Sequence, residues 1–185
     1  MACTHHVGSN RVVIIQPFSD FPRQEVSAVY QSVKKMCSRV YIRTAISLPA
    51  NAYYAPRNRY RADSLIRFLN HMGSDDTVII GLTSRDISTS NGRIPDWGIM
   101  GLGFTPGNAA VISSYRLDPA KILRQLPKVV IHELGHTQGL PHCPVKSCYM
   151  RDAAGGNHLD EETGFCDKCE AFLLRNGWMQ AHPGQ

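Results

Sequence analysis

Apolar positions in the first two thirds of the chain follow two alternating rhythms. Residues 11–17 (RVVIIQP), 38–45 (SRVYIRTA) and 76–83 (DTVIIGLT) are short apolar runs of the kind that form buried strands. Between the first two, Val26, Val29, Tyr30, Val33 and Met36 recur every three or four residues, which predicts a helix with Pro22 in its opening turn. The stretch 59–73 repeats that period through Leu65, Ile66, Leu69 and Met72, with Gly73 expected as its C-cap. The order β-α-β-α-β implies right-handed crossovers and a largely parallel sheet.

Beyond Ser84 the helical period is lost, and Gly92, Pro95, Gly98, Gly101, Gly103, Pro106 and Gly107 break the chain into loops or short strands. Strand character returns at 108–117 (NAAVISSYRL). Two amphipathic pieces follow, AKILRQL and PKVVIHELGHTQG, with Pro127 expected early in the second helix and Gly139 at its end. The remainder is rich in Gly, Pro, Asp and Cys until CEAFLLRNGW, a short helix candidate.

Composition narrows the class. With 185 residues, 43% hydrophobic and 19% charged, the chain is expected to be one α/β (α+β) globular domain rather than a disordered, collagen-like or coiled-coil protein. Residues 1–10 are expected to be a flexible tail and 11–185 the domain itself, divided into an α/β part at 11–139 and a C-terminal part at 140–185. No apolar run approaches the roughly 18 to 20 residues that span a bilayer, and the start lacks a basic segment ahead of an apolar stretch. A cytoplasmic protein without a membrane partner is the expectation. The net charge of +5 draws attention to Arg57, Arg59, Arg61 and Arg67, which either contact acidic partners or form a solvated basic face, the reading favoured here.

Histidine and cysteine are unevenly spread, with four of each between 132 and 169. His132-Glu133-Leu134-Gly135-His136 is an H-E-x-x-H on a predicted helix, and one turn brings both imidazoles to the same face. Gly139 follows three residues later and His142 three after that. A positive φ at Gly139 would turn the chain back and deliver His142 as a third nitrogen ligand. Three histidines leave one position of a tetrahedral zinc open for water, whose pKa falls to roughly 7, and Glu133 is placed to act on it as general base. Met150 lies where a methionine turn would provide an apolar floor. Cys143, Cys148, Cys166 and Cys169 have the spacing of a closed four-thiolate zinc site, with two disulfides the alternative. Cys3 and Cys37 read as a tail thiol and a buried core thiol. The peptide bond between His142 and Cys143 would tie a structural zinc to a catalytic one.

Residues 132–169 resemble the archaemetzincin family of zinc metallopeptidases, in the metzincin clan. The resemblance rests on the three histidines, Cys143, Cys148-Tyr149-Met150 and Cys166-x-x-Cys169. It extends to the strand-like segment 101–117 and covers about residues 76–175, although the stretch from Met150 to Cys166 is slightly shorter than that family's pattern. It implies a compact metzincin-like domain with a twisted mixed sheet, an active-site helix and a zinc-braced C-terminal subdomain. It also implies two Zn2+ ions per chain, with His132, His136 and His142 on the catalytic ion and Cys143, Cys148, Cys166 and Cys169 on the structural one. Glu133 becomes the general base and Met150 the turn methionine. In such folds an edge strand lies antiparallel to the substrate, a role expected for Ala109, Ala110, Val111, Ile112, Ser113 and Ser114. Tyr149, Arg151 and His158 are candidates for the specificity pocket. Where several metzincins carry an oxyanion-assisting tyrosine, Arg151 and Asp152 stand here.

The expected function is therefore hydrolysis of a peptide or protein substrate by a monomeric zinc protease. The competing class is a catalytically silent zinc protein that binds peptides in the same cleft, and Glu133 speaks against it, since binding alone does not require that carboxylate. Nucleic-acid binding through a cysteine ribbon is disfavoured because only Lys168 and Arg175 lie near Cys166–Cys169, without interleaved aromatics.

Overall fold

The computed structural model describes residues 11–179, so the expected tail at 1–10, with Cys3, lies outside the described residues. Strand β1 (Val12–Pro17) is buried at every position after Val12, as a central strand covered on both faces must be. It pairs in parallel with β2 (Val40–Ile42) and with β5 (Thr77–Thr83). β5 continues in parallel to β9 (Ala109–Ser113), and β9 runs antiparallel to β8 (Gly101–Gly103), giving the order β2-β1-β5-β9-β8.

Alternation along β1 divides the core. Val13 and Ile15 face α1 (Arg23–Lys34) and α3 (Ile122–Thr137), in a cluster with Val29, Leu126, Val130 and Leu134. Ile14 faces α2 (Ala62–Asn70) and joins Leu65, Ile66 and Leu69. The last helix, α4 (Asp167–Arg175), begins at Cys166, the N-cap residue, and buries Cys169 and Leu173. Cys37 is buried, in keeping with its reading as a core thiol.

A second sheet was not legible from periodicity. Its strands are β3 (Tyr53–Tyr54), β4 (Arg59–Arg61), β6 (Ile87–Asn91) and β7 (Ile94–Ile99), in the order β3-β4-β6-β7. Arg59–Arg61, expected to open the second helix, is instead extended, because the Tyr60 N–H donates to the Asp86 carbonyl at 2.9 Å. The basic face is also corrected. The Arg59 guanidinium lies 3.0 Å from Asp86 and 3.5 Å from Asp96, Arg61 lies 3.4 Å from Asp96, and Arg116 grips Asp86 at 2.9 Å. Ion pairing at half-buried positions thus occupies Arg59 and Arg61, while Arg57 remains largely exposed beside Asp96. A Ser88 hydrogen bond, with help from Arg59, Arg61 and Arg57, holds the Asp96 carboxyl below its usual range.

Two helix boundaries differ from expectation. α2 stops at Asn70 with His71 as its cap, and Gly73 lies beyond the helix, close to the Thr77 hydroxyl. The two amphipathic pieces expected around Pro127 are one continuous helix, α3. Proline removes the bond to the carbonyl four residues back, which belongs to the exposed Leu123, where solvent can replace the lost donor.

Candidate active site and metal centres

α3 carries His132, Glu133 and His136. His132 Nδ1 lies 2.6 Å from the Tyr149 carbonyl and His136 Nδ1 lies 2.8 Å from the Leu140 carbonyl. A carbonyl only accepts, so both Nδ1 atoms carry the proton and both Nε2 atoms present lone pairs. Those two Nε2 atoms are 3.0 Å apart. Two acceptors at that separation repel one another unless a cation sits between them, and this donor set therefore fits a divalent metal. Burial, reinforced by neighbouring His136, pushes the His132 imidazole down to about 3, and burial lowers His136 as well, so both rings are neutral and free to ligate near neutral pH.

The helix ends in a motif that places the third imidazole. Gly139 adopts φ +98°, its N–H donates to the His136 carbonyl at 2.8 Å, and the Leu140 N–H donates to the Gly135 carbonyl at 3.0 Å. These paired bonds form a Schellman cap and turn the chain back beneath the helix. The same turn supplies the Leu140 carbonyl that orients His136. His142 then arrives with its ring centroid 4.8 Å from His136 and 5.3 Å from His132. Its Nδ1 is 3.6 Å from the Asp152 carboxylate. One ligand nitrogen from each of the three rings lies within 4.8 Å of the others, and the group can hold a metal ion.

Glu133 points toward β8. Its side chain is buried, receives a hydrogen bond from the Gly103 backbone, and is raised to about 8 by burial. A Cβ at Gly101 would fall 2.6 Å from Glu133 Oε1, and one at Gly103 would fall 2.7 Å from the Glu133 carbonyl oxygen. The Gly-x-Gly of β8 is thus a cradle that only glycine leaves open. As isolated residues these glycines signal only breaks in the chain; their spacing of two on one strand face is the signal of a close backbone approach.

Ala109–Ser114 does not occupy the edge position expected for it. β9 lies between β5 and β8, with every residue of Ala109–Ser113 buried, and the Ser114 N–H donates to the Thr83 carbonyl. Among the described residues, the free edge on this side of the sheet belongs to β8. A run of small and apolar residues reports burial but not which neighbour lies beside the strand.

Met150 is fully buried, and its sulfur packs where a side chain on Gly135 would stand, on α3 between the two helical histidines. The Met150 carbonyl accepts from the Cys143 N–H at 2.8 Å. Cys143, Cys148, Cys166 and Cys169 form a second cluster, their sulfurs within 4.8 Å of one another. The Cys143 and Cys166 sulfurs are 3.7 Å apart, far beyond a disulfide bond and close to the roughly 3.8 Å between sulfurs that share a tetrahedral zinc at about 2.3 Å. All four thiols are free. The Cys148 sulfur receives the backbone N–H groups of Met150 and Cys166 at 3.5 and 3.4 Å. A hydrogen bond from the Cys169 backbone lowers the Cys166 thiol to about 7, whereas burial pushes Cys148 and Cys169 up. A cluster of this kind has the donors of a closed thiolate site.

Of the other candidates, Tyr149 stacks edge-on against Phe165 at 5.5 Å while its carbonyl holds His132. Arg151 is tied to Glu161 at 2.7 Å, and His158 lies 3.5 Å from the same carboxylate. Buried Glu162, which no sequence motif marks, leaves Oε2 without a hydrogen-bond partner among the described residues.

Comparison with known proteins agrees with this geometry. A family model described as Peptidase family M54 matches residues 12–175. The archaemetzincin of Methanopyrus kandleri is 32% identical over 170 residues, covering 90% of this chain and 91% of the relative. That of Haloquadratum walsbyi is 31% identical, covering 88% and 99%. Among solved structures, the Methanopyrus kandleri archaemetzincin superposes with a TM-score of 0.77 at 30% identity, covering 91% of this chain and 96% of that one. The Archaeoglobus fulgidus archaemetzincin, solved as a complex with malonate, superposes with a TM-score of 0.74 at 26% identity, covering 86% and 98%.

Proposed function

The chain belongs to peptidase family M54 and is a zinc metallopeptidase, and from that premise we propose that it hydrolyses peptide bonds at a zinc ion held by His132, His136 and His142, with Glu133 as general base. The observation that carries this reading is the pair of Nε2 atoms facing each other at 3.0 Å, with Glu133 buried beside them. When bound, zinc supplies a Lewis acid that polarises the scissile carbonyl and lowers the pKa of water.

The chain's own residues do the rest. Glu133 takes the proton of the attacking water and passes it to the leaving amine, and its burial keeps its proton affinity high enough for both transfers. Gly103, by its hydrogen bond, holds that carboxylate against β8. An extended peptide pairs antiparallel with the free edge of Gly101–Gly103, in place of the internal strand first expected to bind it. Cys143, Cys148, Cys166 and Cys169 hold a second zinc that is structural. Their free thiols suit a reducing compartment such as the cytoplasm.

The test is mass spectrometry of a degenerate peptide library incubated with the zinc-loaded protein and with Glu133→Ala. Cleavage by the parent alone, reduced at least about a hundredfold in the variant, is the expected result. Identical profiles from two fully metallated proteins would transfer the assignment to a peptide-binding zinc protein.

A further inference from the structure

Trp97 lies in β7, on the strand that leads directly into β8, four residues before Gly101. Gly155 lies in the loop that follows Asp152, whose carboxylate is 3.6 Å from His142 Nδ1. These two positions meet. A Cβ on Gly155 would stand 3.3 Å from Trp97 Cζ2 and 3.7 Å from Cη2, so the indole rests against the glycine backbone.

The loop is built to make that contact. Ala154 and Gly155 take successive left-handed conformations, φ +46° and +82°. The Ala154 N–H donates to Asp152 Oδ1 at 2.9 Å, and the Gly156 N–H donates to the Ala153 carbonyl at 2.7 Å. Ala154 adopts a conformation that alanine disfavours, and the hydrogen bonds of the turn hold it there. The Trp97–Gly155 contact thus joins β7, which leads into β8, to the loop that follows His142 and Asp152. Trp97 nevertheless remains 37% exposed.

The contact lies at a definite end of the cleft. A peptide antiparallel to β8 runs with its carboxyl-terminal half toward Gly101 and on toward Trp97. At about 3.3 Å per extended residue, the stretch from Gly101 back through Met100 to Trp97 in β7 offers room for about four substrate residues. We infer that Trp97 and Gly155 strap the leaving-group end of the cleft, so that a substrate enters by a free carboxyl terminus and is cut within about four residues of it. This rests on the peptidase reading above and on pairing of the substrate with β8.

The experiment compares long linear peptides with the same peptides closed head to tail, using the zinc-loaded full chain and its Trp97→Ala variant. Zinc content and circular dichroism establish that the variant is folded, as expected for a change on an exposed edge strand. The parent should cut linear peptides near their carboxyl ends and leave the cyclic forms intact, whereas Trp97→Ala should cut the cyclic forms and shift the linear cuts inward. Cleavage of cyclic peptides by the parent, or one cut-site distribution for both proteins, would overturn the strap. A second readout is independent of turnover. In the Glu133→Ala background, fluorescein-labelled cyclic peptides should bind at least about tenfold more weakly than linear ones by anisotropy, and adding Trp97→Ala should erase the difference. If nothing is cut yet that difference appears, the peptidase reading fails and the strap stands. Equal binding, or binding of neither form, overturns the strap.

Discussion

The three imidazoles at 132, 136 and 142 and the four thiols at 143, 148, 166 and 169 come from adjoining stretches of chain, yet their surroundings differ. The side chain of His142 is 49% exposed, whereas Cys148 is sealed from solvent and Cys143 and Cys169 nearly so. The nitrogen cluster offers three donors and an open side toward Glu133 and the free edge of β8. The sulfur cluster offers four donors and reaches solvent only through the half-buried Cys166. Within one short region donor number and burial change together, as the proposed division between a site that admits reactants and one that only has to hold requires.

The contrast can be broken most severely at the sulfur end. On the proposed assignment, Cys169→Ser leaves only three thiolates to hold the second zinc. Because structural zinc in small domains contributes on the order of 10 kcal/mol, comparable with the whole stability of a domain, the expected outcome is loss of cooperative unfolding. Calorimetry and zinc analysis together would show it, and a variant that melts like the parent with full zinc content would refute the division of roles. A chelator titration sharpens the same contrast in the unaltered protein. Peptide cleavage should disappear first with circular dichroism unchanged, and unfolding should follow only at higher chelator concentration.

A smaller effect is expected where the two clusters meet through Met150. Gly135→Ala would put a methyl group onto the Met150 sulfur, and overpacking of this kind costs about 1–3 kcal/mol. Urea unfolding should register that loss while the thiolate zinc stays bound.

The smallest effect concerns Glu162. Burial raises its carboxyl to about 7 from an ordinary 4.5, so the folded state holds the proton more tightly than the unfolded state. Its contribution to stability is complete below the unfolded value and is lost as pH rises through about 7. Glu162→Gln removes that titration. Relative to the parent, the variant should become progressively more stable from about pH 5 to about pH 8, measured by denaturant unfolding at each pH. A difference independent of pH would show that the carboxyl is not the source.

How much of this was legible in the sequence depended on range. His132 and His136 share a helix face by local spacing alone, and the Schellman turn at Gly139 follows from a residue that tolerates positive φ. The apolar runs of β1 and β5 marked central strands for the same reason. Properties decided by distant partners were not legible. Whether Ala109–Ser113 is an edge depends on β8, three residues too short and too glycine-rich to register as a strand. Arg59–Arg61 carried no sign that Asp86 would draw it into a sheet. Trp97 and Gly155 are separated in sequence by β8, β9, the whole of α3 and the stretch from Cys143 to Cys148, and no periodicity joins them.

One peptide bond has a consequence for the life of the chain during synthesis. His142 precedes Cys143 directly, and Cys143 is fastened through its N–H to Met150 in a cluster whose last member is Cys169. While a ribosome has delivered α3 but not yet Cys169, the histidine pair exists without the support that brings in the third ring. On the proposed assignment, hydrolytic competence would therefore arrive only once α4 has been translated and has closed the sulfur cluster.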